Sequence, residues 1–426
     1  MRREEPQVSF EPALELTPAT GLLSQARRAQ ARERFERATL GKSEAWWYTP
    51  LGKRLSPQYA LRDAVAPQLE TKGAVSVLTF AEASALIDTP VEGAEGARQT
   101  AIRASELLGS LATEEGEAYC ALNTAHVERG LIIYAHSTEG EAPSVRVTWP
   151  VTAGEASEAS SSPTATISRT LIICEEGARL SVTERFVSPE GELISSALSA
   201  HVTELWVGAR AQLTYLRAQT TALTHHHVGR ISASVQERGQ LTGTLLNLGG
   251  ALSRVEVEAS LEGERADVTL NGAFTGSATQ LLDQHLTLRH MSPNCTSAQR
   301  FKGLIGGSAR GIFTGRVYVA EGASGTRAEQ NNPNLILTEG ARAMTRPQLE
   351  IYNDDVECSH GATVGQLDER ALFYLRSRGL TQAVAERLLA EAFVGEVLSE
   401  VRDEQVVAEA QEAIQRALKT LESLES

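Results

Sequence analysis

From about Leu131 to Gly365 the chain consists of short apolar or alternating runs, broken by Gly, Asn and Asp every ten residues or so. Leu131-Ile132-Ile133-Tyr134, Val145-Arg146-Val147, Leu171-Ile172-Ile173, Leu205-Trp206-Val207 and Leu335-Ile336-Leu337 are examples. Runs of this length between turn formers predict many short strands and few helices. Well over 200 residues of such sequence is long for one β-sandwich, and a β-solenoid accommodates it more readily. An imperfect repeat points the same way. Gly177-Ala178-Arg179-Leu180, Gly208-Ala209-Arg210-Ala211, Gly263-Glu264-Arg265-Ala266 and Gly340-Ala341-Arg342-Ala343 each join a turn to a strand start. Their spacings of 31, 55 and 77 residues share no single period, so pattern alone leaves the sandwich open. Aromatics make up only 5% of the chain, so the core is expected to be aliphatic layers.

Helical patterns flank this region. Residues 21–40 read as a charged helix, and helical periodicity returns between Arg98 and Leu122. Pro50 ends the aromatic run Trp46-Trp47-Tyr48-Thr49-Pro50-Leu51. After Gly365, Asp368 can cap a helix that Gly379 ends, Thr381 a second, and Asp403 can start a third. Val384, Leu388, Phe393, Val397 and Val401 are the expected buried stripe of the second, with Val407, Ala410, Ile414, Leu418 and Leu421 on the third. The expected organisation is a mostly helical region 1–130, a β core 131–365 and a helical region 366–426. Ala153 to Ser168, poor in apolar residues, reads as a surface loop.

The formal net charge is -14, which argues against a general grip on nucleic-acid phosphates. Cys120, Cys174, Cys295 and Cys358 contain no C-x-x-C pair and suit a reducing compartment. No apolar leader follows Met1, and no run approaches the roughly 18 apolar residues a membrane span requires. A cytoplasmic chain without membrane contact is expected.

The densest chemistry lies in Asn353-Asp354-Asp355-Val356-Glu357-Cys358-Ser359-His360-Gly361-Ala362. A thiolate and a neutral imidazole suit iron, zinc and iron–sulfur chemistry. In a strand, their two-residue spacing sends both side chains to one face. Two donors do not complete a metal site, so a shared site or a core thiol beside a turn histidine remains. His225-His226-His227 invites a metal reading, but the next acid is Glu237, and polar residues exposed along a strand are favoured. Gly41-Lys42-Ser43 lacks the earlier glycine of a phosphate-binding loop, because position 36 is Glu. Gly303-Leu304-Ile305-Gly306-Gly307-Ser308 reads as tight turns. Cys120, Cys174 and Cys295 read as small buried hydrophobes, Cys295 least clearly because it follows Ser292-Pro293-Asn294.

Arg346 to Gly365, containing the Cys358-Ser359-His360-Gly361-Ala362-Thr363 run, closely resembles the SufB/SufD family of iron–sulfur assembly proteins, and its SufD branch in particular. Phe373-Tyr374-Leu375-Arg376-Ser377-Arg378-Gly379-Leu380 and Trp46 to Leu51 match that family as well. The resemblance implies a right-handed parallel β-helix flanked by α-helical N- and C-terminal regions. It also implies a non-catalytic scaffold that pairs with a SufB-like subunit and docks a SufC-like ABC-type ATPase through its C-terminal helices. Phe373, Tyr374, Leu375, Arg378 and Phe393 bracket that docking surface. On the same resemblance His360 contributes to a nascent iron–sulfur cluster at the subunit interface, with Cys358 nearby, and no cofactor is held stably by this chain alone. A homodimer in isolation is compatible with the same surface. The competing readings are a β-solenoid carbohydrate-active enzyme, with carboxylates that converge only in three dimensions, and a stand-alone metal-binding protein using the 225–227 histidines.

Overall fold

A computed structural model of the chain describes residues 9–12, 22–37, 49, 58–89, 93–112, 118–136, 140–151, 163–188 and 197–422. The first part carries β1 (Ser9–Pro12), α1 (Gln25–Arg37), β2 (Gln58–Asp63), β3 (Gln68–Lys72) and β4 (Ser76–Thr79). Then come α2 (Phe80–Asp88), α3 (Glu95–Leu107), α4 (Ala118–His126), β5 (Arg129–Ala135) and β6 (Ser144–Pro150). The expected helix between Arg98 and Leu122 is thus two helices, and the short strands β1–β4 carry no clear alternation in sequence.

The core follows as paired strands. These are β7 (Thr164–Cys174) with β8 (Arg179–Val187), β9 (Leu198–Val207) with β10 (Gln212–Gln219), and β11 (His226–Val235) with β12 (Gln240–Asn247). Next are β13 (Leu252–Leu261) with β14 (Asp267–Gly276), and β15 (Leu281–His290) with β16 (Thr296–Ile305). The series ends with β17 (Arg310–Val319), β18 (Thr326–Ile336), β19 (Arg342–Ile351) and β20 (Val356–Gly365). From β7 onward the odd strands stack in parallel in one sheet and the even strands in the other. The fold is a parallel β-solenoid with two strands per rung. Thr164–Ser168, expected in a loop, begins β7, whose β-branched residues pack between rungs; residues 153–162 of that segment lie outside the described residues.

Side chains stack in columns because the register is continuous. Leu205, Ala233, Ala259, Leu288, Val317 and Leu349 form one interior column. A rung takes 26 residues between Ala233 and Ala259 and 32 between Val317 and Leu349. That variation hides the period. One corner is a ladder of left-handed residues: Gly177, Arg210, Arg238, Arg265, Asn294 and Gly325, with φ between 53° and 69°. Each donates its backbone N–H to the next rung, for example Arg238 N to Glu264 O at 2.9 Å and Asn294 N to Ser324 O at 2.7 Å. An L-residue pays about 1–2 kcal/mol for that conformation, and the ladder bonds offset it. The next residue of each turn faces inward, giving the buried column Ala178, Ala211, Gly239, Ala266, Cys295 and Thr326. Cys295 is therefore a core residue despite its turn-like neighbours.

The four sequence repeats did not share a period because they mix positions. Gly177 occupies the left-handed site itself, Gly208 and Gly263 precede it by two residues, and Gly340 lies at the opposite corner beside Gly307. Gly306-Gly307 forms a tight turn at that corner, as expected.

Helices cover the outer faces of both sheets. α4 lies against β7 and β9. Buried Arg169 pairs there with buried Glu204 at 2.8 Å, and Glu204 also accepts from the backbone N–H groups of Gly109, Leu111 and Ala112. Removing either partner would strand a buried charge, at a cost of about 3–5 kcal/mol. Cys120 packs with Ala112 and Val202 beneath this loop.

At the other end of the chain are α5 (Glu369–Ser377), α6 (Gln382–Leu398) and α7 (Glu404–Glu422). Asp368 and Thr381 cap α5 and α6, Asp403 accepts from Val406 N at 3.3 Å, and Gly379 (φ 93°) follows α5. Of the expected α6 stripe, Val397 is buried and Phe393 and Val401 pack half-buried on the same cluster. Ala385, Ala390, Val394, Val397 and Leu398 are buried, whereas Leu388 is exposed. On α7 the buried residue is Val406 rather than Val407, joined by Ala410, Ala413, Ile414, Ala417 and Leu418. These faces pack on Leu216, Ala218, Leu246, Ala273 and Leu304, so much of the helical tail is a lid on the even-strand sheet. No helix among the described residues is long and apolar enough to cross a membrane.

Close stacking at the corners makes a direct prediction. A Cβ at Gly263 would sit 1.9 Å from the backbone N of Glu237, whereas one at Gly322 meets nothing within 4 Å. Gly263→Ala should destabilise by about 1–3 kcal/mol, read as a lower urea midpoint, while Gly322→Ala should leave the midpoint unchanged.

Candidate functional site at the open end of the solenoid

β19 and β20 end their respective sheets. Among the described residues, neither has a neighbour on its outer edge, so one row of backbone donors and acceptors on each faces outward. Ile351, Tyr352 and Val364 are all exposed on this last rung, Tyr352 at 54%. The tyrosine packs against Tyr318 with the rings tilted by 53° and 5.6 Å between their centres.

Cys358 and His360 lie on β20, on one face of the strand as their spacing requires. Val356 and Cys358 pack toward Val317, Val319, Ala323 and Ala328, which makes this the interior face. His360 is exposed, with no further rung over it among the described residues. Burial pushes the Cys358 thiol above its ordinary pKa, partly countered by a hydrogen bond to the Ala328 backbone. The acids nearby serve the turn. Asp355 accepts from Gly325 N through a side-chain oxygen at 3.1 Å, and Glu357 pairs with Arg327 at 3.3 Å in solvent.

Beneath His360 lies a polar column. His360 pairs in register with Gln330, and Gln330 stacks above Gln299. Gln330 is 1% exposed and donates from Nε2 to Gln299 Oε1 at 2.8 Å. Its own Oε1 is buried with no hydrogen-bond partner, as is Gln299 Nε2. The ladder is also interrupted here. Pro333 has no N–H, regular pairing lapses between Arg300–Asn331 and Gly303–Asn334, and the Asn332 side chain donates to Phe301 O at 2.9 Å. Sequence reading missed Gln299 and Gln330. Their signal is a rung-length spacing, 31 residues to Gln330 and 30 more to His360, visible only once the register is known.

The three histidines at 225–227 are not on a strand surface. His225 and His227 are fully buried and His226 nearly so. Ser199 Oγ lies 2.6 Å from His227 Nδ1 and 3.1 Å from His225 Nε2, and Tyr59 OH lies 3.4 Å from His226 Nδ1. Burial drives His225 down to about 3, and burial with the nearby Arg217 guanidinium drives His227 well below its ordinary value. The expectation of exposure fails because the early rungs have a polar interior. There Glu184 accepts from Thr170 (2.6 Å), Tyr215 (2.7 Å), Thr203 (2.8 Å) and the Trp149 indole (3.3 Å). Burial alone would raise its pKa, but the His201 ring and these hydroxyls outweigh that and hold it at about 2.

The remaining candidates are spread out. Phe373 and Tyr374 on α5 are 76% and 57% exposed. Arg378 stacks over Tyr374 at 5.2 Å, and Leu375 is half-buried. Phe393 is half-buried on α6 with Lys302 over its ring at 4.9 Å, away from the α5 aromatic pair in sequence and setting. Of the Trp46–Leu51 run only Thr49 is described; it is buried and its hydroxyl donates to Asp283. Gly41-Lys42-Ser43 lies outside the described residues.

Exposure ranks the thiols. Cys120, Cys174 and Cys295 are at most 1% exposed, and burial raises Cys174 to about 12. Iodoacetamide applied to the native chain should label Cys358 alone, slowly near neutrality and faster as pH rises toward its elevated pKa. Peptide mass spectrometry reads this; native labelling of another cysteine at the same rate would contradict it.

The family model described as SUF system FeS cluster assembly, SufBD core domain, matches residues 156–393. That stretch runs from before β7 through most of α6 and contains Gln330, Cys358 and His360. The iron-sulfur cluster assembly protein SufD of Escherichia coli is 34% identical over 230 residues, covering 54% of this chain and 53% of its own length. An iron-sulfur cluster assembly SufBD family protein of Synechocystis is 31% identical over 241 residues, covering 55% and 52%. One from Mycobacterium leprae is 33% identical over 236 residues, covering 54% and 60%. The chain spans about half the length of the curated relatives it matches. With the core-domain match taking in most of the solenoid and the open-end rung, the chain belongs to the SufBD family of the SUF system.

Proposed function

We propose that this chain is a non-catalytic scaffold subunit for iron–sulfur cluster assembly, with the last rung of the solenoid as the surface that pairs with a SufB-like subunit. The observation that carries this is the placement of Cys358 and His360 on an unpaired terminal strand flanked by exposed Ile351, Tyr352 and Val364. A thiol and an imidazole on one strand face fit iron or sulfide-bridged iron as cargo. They are half a coordination sphere. Among the described residues, no group of three or more His, Cys, Asp or Glu is placed to hold a metal ion, and in this reading the partner supplies the remaining ligands.

The aromatic pair Phe373 and Tyr374 on α5, which buries no residue of its own, is the proposed dock for a SufC-like ABC-type ATPase. ATP-dependent closure of two such ATPases would pull on the segment from Leu367 to Val401. Because α6 is packed on the even-strand sheet, that pull is transmitted to the solenoid and shifts the last rung, opening half-buried Cys358 to iron and sulfide. The driving free energy is the difference in ATPase affinity between the two arrangements.

The test is anaerobic co-expression with candidate SufB-like and SufC-like proteins, reading subunit content and visible absorbance. His360→Ala should leave the complex intact and lower cluster yield about tenfold, the scale on which ligand-sphere losses act. An unchanged yield would remove His360 from the site. Phe373→Glu should release the ATPase subunit and keep the SufB-like one, with affinity falling by about 2 kcal/mol or more. Failure of the wild-type chain to co-purify with either partner, or polysaccharide turnover by the chain alone, would overturn the scaffold reading.

A further inference from the structure

We propose that a polar hollow on the outer face of the odd-strand sheet binds a small hydroxy-dicarboxylate, with Arg316 and Arg346 holding its carboxylates and the His285 imidazole accepting its hydroxyl. The site is separate from Cys358 and His360, which lie on the interior face of β20, and it does not depend on the cluster role.

Register builds the hollow. Glu256, His285, Thr314 and Arg346 stand in one outward column across β13, β15, β17 and β19, with Thr287, Arg316 and Gln348 in the next. The short threonines at 287 and 314 leave a depression between longer neighbours, about 550 Å3 in volume and within the range of small-molecule sites. His285 and Arg346 are two strand spacings apart, roughly 10 Å between backbones. Their side chains and a four-carbon acid span that gap.

The lining suits this ligand class. Guanidinium groups recognise carboxylates through paired N–H donors, and Arg316 and Arg346 are diagonal neighbours on β17 and β19. Gln348 positions Arg346: its amide oxygen, turned toward the guanidinium, accepts from Nε and Nη2 at 3.1 Å each. Arg316 meets Glu350 at 3.5 Å in a pair 40% and 39% exposed, a loose contact of the kind worth little. A ligand carboxylate can replace it, because Tyr352 OH also donates to Glu350, at 3.1 Å. The other acid lining the hollow, Glu256, is engaged by Arg230 at 2.8 Å and Arg254 at 3.5 Å.

His285 supplies the selectivity. Its Nε2 lies 3.1 Å from Oδ1 of buried Asp283, whose other oxygen Arg254 holds at 2.6 Å. A lone pair on Nε2 would face that carboxylate oxygen, so the neutral ring carries its proton there and its lone pair on Nδ1. Nδ1 makes no hydrogen bond among the described residues. It is an acceptor, suited to a hydroxyl and not to a bare carboxylate or phosphate.

Isothermal titration calorimetry of the full-length chain with L-malate, succinate and inorganic phosphate tests this, at about pH 8, above the ordinary titration range of histidine. Malate should bind at least about tenfold more tightly than succinate, the ratio expected of one added hydrogen bond, and more tightly than phosphate. His285→Leu should bring malate down to the succinate level. Arg316→Gln combined with Arg346→Gln should lose both acids. Circular dichroism establishes that each variant is folded, and the wild-type comparison needs no variant. Absence of malate binding at millimolar concentration, equal affinity for malate and succinate, or tighter binding of phosphate would overturn the inference, as would an unchanged preference for malate in folded His285→Leu.

Discussion

A parallel solenoid satisfies its backbone by stacking. Each rung donates to and accepts from the rungs on either side, and the left-handed corner residues extend the ladder through the turns. The arrangement has no internal edge, so any unpaired strand must lie at an end. Register also forces every position into a column, so that a residue's environment is set by what lies about 30 residues away. The small column through Ala178, Ala266 and Cys295 and the polar column through Gln299, Gln330 and His360 are both products of that single constraint.

The interior is not uniform along its axis. In the early rungs, Glu184 collects hydroxyl and indole donors until its carboxylate is enclosed. Closed networks of this kind rigidify and specify a core. The outer face there is sealed as well, by the Arg169–Glu204 pair and the loop that donates three amides to it. In the last rungs Gln299 Nε2 and Gln330 Oε1 keep open valences, as His225 Nδ1 does earlier, and the Pro333 interruption leaves a side-chain amide in place of a ladder bond.

The class of fold was legible in the sequence because Leu171-Ile172-Ile173 and similar runs are too short for helices and too numerous for one sandwich. The period was not legible, because rungs vary in length and because Arg and Asn as well as Gly hold the left-handed corner. The helix caps at Asp368, Thr381 and Gly379 were visible since capping is local, whereas the buried stripe of α6 was only partly visible, being set by tertiary packing against Leu246 and Ala273. Cys358 and His360 stood out by residue type. Gln330 did not, since a glutamine gains significance only from the residue in register with it. The 225–227 histidines misled for the converse reason: three polar residues together suggest solvent, and partners such as Ser199, Tyr59 and Arg217, none of them adjacent in sequence, make their burial tolerable.

In the proposed assembly the edge left unpaired among the described residues and the two-donor ligand set of Cys358 and His360 have one solution. Among the described residues nothing covers the outer edges of β19 and β20, which exposes backbone groups and the apolar side chains of Ile351, Tyr352 and Val364, a combination that favours association. In the proposed site Cys358 and His360 supply two donors, fewer than the four or more a metal ion ordinarily takes. In the proposed assembly a SufB-like partner covers the edge and supplies the missing ligands together, so that cargo is held only when the two subunits are joined. A chain that completed its own coordination sphere would bind metal before pairing, and one that capped its own last rung would not pair. The end of the solenoid is suited to assembly because both kinds of valence are left open on the same strand.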